Sequence, residues 1–181
     1  MTRHKVFISY HHANDEYYKN KFEELFSNSY FDIIISKSVQ IGDINEYLPA
    51  ETIRQKIRDE YLRDSTVTVV LIGSETWKRK HVDWEIGASL RDTQYNSRSG
   101  LIGILLPSYS GYTTNTYNPH TIPPRLAKNI EKGFAEIYKW STDPHKVKEW
   151  IEEAFKNRKK ILPTNTFPSF KNNRSGSQWQ D

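Results

Sequence analysis

Two runs, residues 66–73 (Thr-Val-Thr-Val-Val-Leu-Ile-Gly) and 101–106 (Leu-Ile-Gly-Ile-Leu-Leu), hold no charged side chain. Such a run has no polar face to turn to water. It fits a strand covered on both faces, as in a parallel sheet flanked by helices. Neither run approaches the ~20 apolar residues of a membrane helix. Residues 5–10, 32–36 and 136–140 are weaker candidates of the same kind.

Amphipathic stretches alternate with these strands. Asn14 is an expected N-cap, with Asp15 and Glu16 in the first turn and Tyr18, Phe22, Leu25 and Phe26 at helical spacing behind it. Ile53, Ile57 and Tyr61 mark a helix over 50–62, and Val82, Ile86 and Leu90 one over 82–93. Asp143 and Pro144 open a last helix, with Val147, Trp150, Ile151, Ala154 and Phe155 on one stripe. The alternation predicts a three-layer α/β sandwich around a five-stranded parallel sheet, with helices on both faces. At ~150 residues per domain, the chain holds one domain, placed at residues 1–160.

Two segments fall outside the pattern. Residues 107–125 form a long loop rich in Tyr, Thr, Asn and Pro. Residues 161–181 are polar and are expected to be a loosely held tail. Residues 156–181 carry net +5 and the rest of the chain −1, so the overall +4 is a property of this end. The body thus lacks the basic excess of a nucleic-acid binder. The chain has no cysteine, which excludes disulfides, thiolate metal sites and a thiol nucleophile. Val6, Phe7 and Ile8, behind Arg3, His4 and Lys5, are too short a run for a signal peptide. A cytoplasmic protein with no membrane and no nucleic-acid partner is expected.

In an open α/β sheet, ligands bind outside the carboxyl ends of the strands, where strand order reverses. In the order 2-1-3-4-5 that point lies between the first and third strands. Residues 7–15, 36–47 and 74–85 converge there, and Glu85 is the acid best placed in the crevice. Ser9, Tyr10, His11, Asn14, Asp15, Ser36, Asp43, Ser74 and Trp77 are its candidate substrate-binding neighbours, with residues 36–43 as a rim. Each also has a structural reading. Glu85 alone could be a first-turn acid contributing ~0.3–1 kcal/mol through the helix dipole. Asn14 could be only a cap, and Trp77 only a loop anchor. Adjacent His11 and His12 rarely face one metal, so no metal site is expected.

These residues also carry a family resemblance. Phe7-Ile8-Ser9-Tyr10 resembles the first sequence box of TIR domains. Leu71-Ile72-Gly73-Ser74, followed by Trp77 and Trp84-Glu85, resembles the TIR strand–loop–helix region that ends in the catalytic glutamate. His11-His12-Ala13-Asn14-Asp15 resembles the TIR-like subfamily of bacterial Thoeris anti-phage systems. The resemblance spans about residues 5–155 and implies a flavodoxin-like fold. It implies an enzyme that takes NAD as substrate, not as cofactor, with Glu85 catalytic. The implied product is a cyclic ADP-ribose isomer, a diffusible signal that activates a partner effector; self-association is left open. The alternatives are a non-catalytic TIR interaction module and a nucleoside deoxyribosyltransferase-like enzyme. A phosphoacceptor receiver domain is excluded, since Ser9-Tyr10 and Gly73-Ser74 stand where its acids belong, and no Gly-x-x-x-x-Gly-Lys loop occurs.

Overall fold

The computed structural model describes residues 3–36, 38–40 and 42–181. Strands β1 (His4–Ser9), β2 (Ile33–Ile35), β3 (Val67–Ile72), β4 (Gly100–Leu105) and β5 (Ala135–Lys139) form one sheet in the order β2-β1-β3-β4-β5. Every pairing is parallel. The helices are α1 (His12–Leu25), α2 (Ala50–Lys56), α3 (Lys80–Ser89), α4 (Pro124–Glu131) and α5 (Pro144–Lys160). A single π-turn, Ile57–Tyr61, extends α2.

Strand side chains alternate between faces. Val6, Ile8, Val69, Leu71, Ile102 and Ile104 pack against Phe22 of α1 and Val147, Trp150 and Ile151 of α5. On the other face Val70, Ile72, Leu101 and Leu105 meet Ile86 of α3 and Leu126 of α4. Phe7 joins Ile53, Ile57 and Trp84 there. All six residues of β3 and of β4 are buried, which is why their sequences carry no polar alternation. Gly100 is required by close approach: a Cβ would overlap the Ala154 carbonyl of α5.

Four expectations change. Asn14 does not cap α1, because the helix starts two residues earlier behind His11 and no side chain caps it. The 82–93 helix starts at Lys80, which makes Glu85 its sixth residue and moves it out of the first turn. The eight-residue α4 falls at the end of the long loop and beyond it, opened by Pro124. Finally, residues 161–181 are no loose tail. Phe170 and Trp179 are buried. The Trp179 indole donates to the Ile122 carbonyl (2.8 Å), and the Phe170 amide donates to Asp83 (2.9 Å). The segment runs as a strap over α3 and α4. Asp143 caps α5 as expected, accepting from the His145 and Lys146 amides.

Candidate functional site

Register sets the site. Ser9 ends β1 opposite Val70 of β3, so its side chain emerges at the carboxyl end of the sheet beside the reversal of strand order. Its hydroxyl donates a hydrogen bond to Glu85 Oε2 of α3. Both residues are sealed from solvent, at 0% and 2% exposure. Burial pushes the Glu85 carboxyl up to about 8, and the Ser9 hydrogen bond only partly opposes this. Among the described residues no cation pairs with it. At neutral pH the carboxyl is therefore mostly protonated.

α3 is held rigidly. Asp83, two residues before Glu85, pairs with Arg125 of α4 at 3.1 Å, and both side chains are buried. Arg125 also donates to the carbonyls of Asn165 (3.1 Å) and Phe167 (2.7 Å) in the strap. The Trp84 indole donates to the Phe170 carbonyl at 2.9 Å, and Asn173 accepts from the Lys80 amide at 3.0 Å.

The β2 exit closes over the crevice. The Ser36 amide donates to the Val6 carbonyl (2.8 Å), while the buried Ser36 hydroxyl has no partner. Val39 and Ile44 are buried in the cluster with Phe7, Ile57 and Trp84. Lys37 and Ile41 of the expected rim lie outside the described residues. Two voids remain. One of about 50 Å³ is lined by Tyr10, His11, His12, Ala13, Val39, Arg79 and His81. One of about 10 Å³ lies against Glu85, Trp84, His81 and Val39. Small-molecule sites measure ~300–1,000 Å³, so the crevice is shut in this conformation. A larger hollow of about 560 Å³ runs along α5, on the sheet face away from Glu85.

Imidazoles surround the larger void. Burial holds His11, His12 and His81 below the usual imidazole range, and the Arg79 charge adds to this in each. Tyr10 stacks on His12 with ring centroids 4.3 Å apart, and its phenol is pushed up to about 12, first by burial and then by nearby carboxylates.

The other expected neighbours scatter. Asn14 is exposed on α1 and does not line the crevice. Asp15 is buried, accepts from Ser108 at 2.8 Å, and lies against Gly73, where a Cβ would overlap its carboxylate. Burial pushes its carboxyl up. Asp43 is exposed and accepts from the Tyr61 hydroxyl (2.9 Å) and the Gln40 amide (3.0 Å). Ser74 is half-buried in the β3 exit, and Trp77 is packed into the α3–α4 core. Arg79 and His81 line the crevice but were not singled out from the sequence. They sit where the 74–85 segment turns into α3, and a polar loop gives no periodic signal.

Among the described residues no group of three or more His, Cys, Asp and Glu is arranged to hold a metal ion. Nor is any helix among them long and apolar enough to cross a membrane. Residues 7–110, more than half of the chain, match the model of the family described as Thoeris protein ThsB, TIR-like domain. No curated protein matches the chain.

Proposed function

The chain belongs to the Thoeris ThsB TIR-like domain family, and from that premise we propose that it cleaves the bond between nicotinamide and ribose in NAD at Glu85. The observation that carries this reading is the buried Ser9–Glu85 pair at the carboxyl end of β1. A carboxyl group in a dry crevice, oriented by one hydroxyl, is suited to a reaction that develops positive charge on a sugar.

The glycosidic electron pair leaves with nicotinamide, which departs neutral. Positive charge moves onto C1 of the ribose, and the ionised Glu85 faces it. In the shut crevice the carboxyl holds its proton. The cationic nicotinamide ring of an entering substrate favours the ionised form, so binding and activation are coupled. A hydroxyl group, of water or of the same ADP-ribose, then forms the new bond to C1 and passes its proton to the Glu85 carboxylate. With water excluded, a group on the same ADP-ribose competes well with hydrolysis, and a cyclic isomer results. Released as a soluble nucleotide, that isomer would reach a partner effector. Access requires Val39 and Ile44 to move, since they plug the crevice.

The test is mass spectrometry of NAD incubated with lysate of phage-infected cells that express the chain or its Glu85→Gln variant. Nicotinamide release and a cyclic product with the parent alone are expected. No nicotinamide release by the parent removes the enzymatic reading and leaves a recruitment module.

A further inference from the structure

We infer that Arg79, His11 and His12 form an anion seat that holds the diphosphate of the dinucleotide while its nicotinamide ribose lies against Glu85. This rests on the NAD reading above.

Three observations support it. The first is an uncompensated cation. Arg79 lines the 50 Å³ void, and no carboxylate among the described residues pairs with it. The neighbouring acids are otherwise engaged. Glu75 pairs with Lys78 (2.8 Å), and Glu46 with Lys80 (2.5 Å) and His81 (3.3 Å). Glu16, near His12, is exposed, and Lys19 is paired with Glu23 at 2.8 Å. A planar guanidinium with free donors suits a bidentate phosphate contact.

The second is an unmet polar atom. His11 Nδ1 is buried without a hydrogen-bond partner. His11 is also the N-cap of α1, and its side chain leaves the first-turn amides of that helix uncapped. A phosphate oxygen at this mouth would satisfy both. His12 is fixed beside it by its stack on Tyr10.

The third is connection. The histidine–arginine void and the Glu85 void share Val39 and His81 as walls. Displacing Val39 joins them into one channel, with the cationic seat at one end and the carboxyl at the other. In the dinucleotide the diphosphate and the scissile bond likewise lie on either side of one ribose, so one molecule can engage both ends.

The experiment uses the full chain carrying Glu85→Gln, which removes turnover, and calorimetric titration with ADP-ribose, inorganic phosphate and nicotinamide riboside. Adding Arg79→Gln is expected to weaken ADP-ribose at least ~10-fold and leave nicotinamide riboside unchanged. Arg79→Lys should fall between. A bound phosphate favours protonation of the imidazoles around it, so ADP-ribose binding is expected to take up protons, and replacing His11 and His12 by Gln should reduce that uptake. Arg79 is half-buried and pairs with no carboxylate among the described residues, so the Arg79 variants should melt with the Glu85→Gln parent. Unchanged ADP-ribose affinity in Arg79→Gln overturns the seat and leaves NAD cleavage standing. Equal, Arg79-dependent affinity for inorganic phosphate and ADP-ribose reduces the seat to a site for free phosphate and overturns its dinucleotide role. Arg79-dependent ADP-ribose binding in a chain whose wild type releases no nicotinamide keeps the seat and removes the glycosidic chemistry.

Discussion

The Ser9 hydroxyl at the end of β1 donates to the Oε2 carboxyl oxygen of Glu85 in α3, and both side chains are buried. The pair joins the sheet to the helix at the point where strand order reverses. Glu85 is therefore no exposed dipole-stabilised acid. Its burial opposes its own ionisation, so the closed site is poised in the protonated state.

Replacing Glu85 by Gln should abolish chemistry without disturbing the fold. Glutamine fills the same space and still accepts from Ser9. What disappears is the charge that faces the developing cation, and loss of such a contact costs ~10²–10³ in rate or more. Nicotinamide release measured beside a thermal melt tests this. A variant with parental turnover removes Glu85 from the reaction.

The same substitution should raise stability at alkaline pH. The Glu85 carboxyl titrates near about 8 when folded and near 4.5 when unfolded. Below pH 4.5 both states are protonated and the group costs nothing. Between the two values only the unfolded chain releases its proton, so stability falls as pH rises, and above 8 the loss levels off. The ceiling is roughly 5 kcal/mol. Glutamine does not titrate. Urea unfolding at pH 4.5 should give similar midpoints for parent and Glu85→Gln, and at pH 8.5 the variant should be clearly more stable. Coincident midpoints at both pH values would contradict a buried, protonated carboxyl.

Ser9→Ala should shift the pH dependence of turnover. The Ser9 hydrogen bond is the influence that lowers the Glu85 value against burial. Without it the carboxyl ionises at still higher pH. If the ionised form is active, the rising limb of kcat/KM for NAD moves to higher pH, and the variant approaches parental rates only there. A uniform loss at every pH would assign Ser9 to substrate contact instead.

The sheet was legible because β3 and β4 are buried on both faces, and the hydrophobic pattern reports burial directly. Glu85 was legible from topology, since the crevice in this strand order has a fixed place. The local start of each helix was not. α1 begins at His12 and α3 at Lys80 without a side-chain cap from the preceding residue, so neither start carried the usual signal. The late start expected for α3 puts Glu85 in a first turn, whereas it is in fact the sixth residue of the helix. Asn14, read as a cap, is a surface residue of α1 for the same reason. The strap was illegible on other grounds. Its anchors include the carbonyls of Asn165, Phe167 and Phe170 and the amide of Phe170, and backbone groups leave no trace in composition.

One buried ion pair links the strap to both α3 and α4. Arg125 is 1% exposed, and it joins Asp83 of α3 to the carbonyls of Asn165 and Phe167. Arg125→Ala leaves Asp83 buried with the Phe170 amide as its remaining partner. Breaking one side of a buried pair costs ~3–5 kcal/mol, because the other charge stays desolvated. The effect should also be directional. Phe170 should detach with the strap, its amide losing protection from hydrogen exchange, while the β3 and β4 amides stay protected until global unfolding. The Trp84 indole, which bonds the Phe170 carbonyl, should become solvated, and its fluorescence should shift to the red. Because Trp84 precedes Glu85 on α3, turnover should fall along with strap protection. An Arg125→Ala chain that keeps the parental urea midpoint and a protected Phe170 amide would show that the apolar contacts of Phe170 and Trp179 hold the strap without the ion pair.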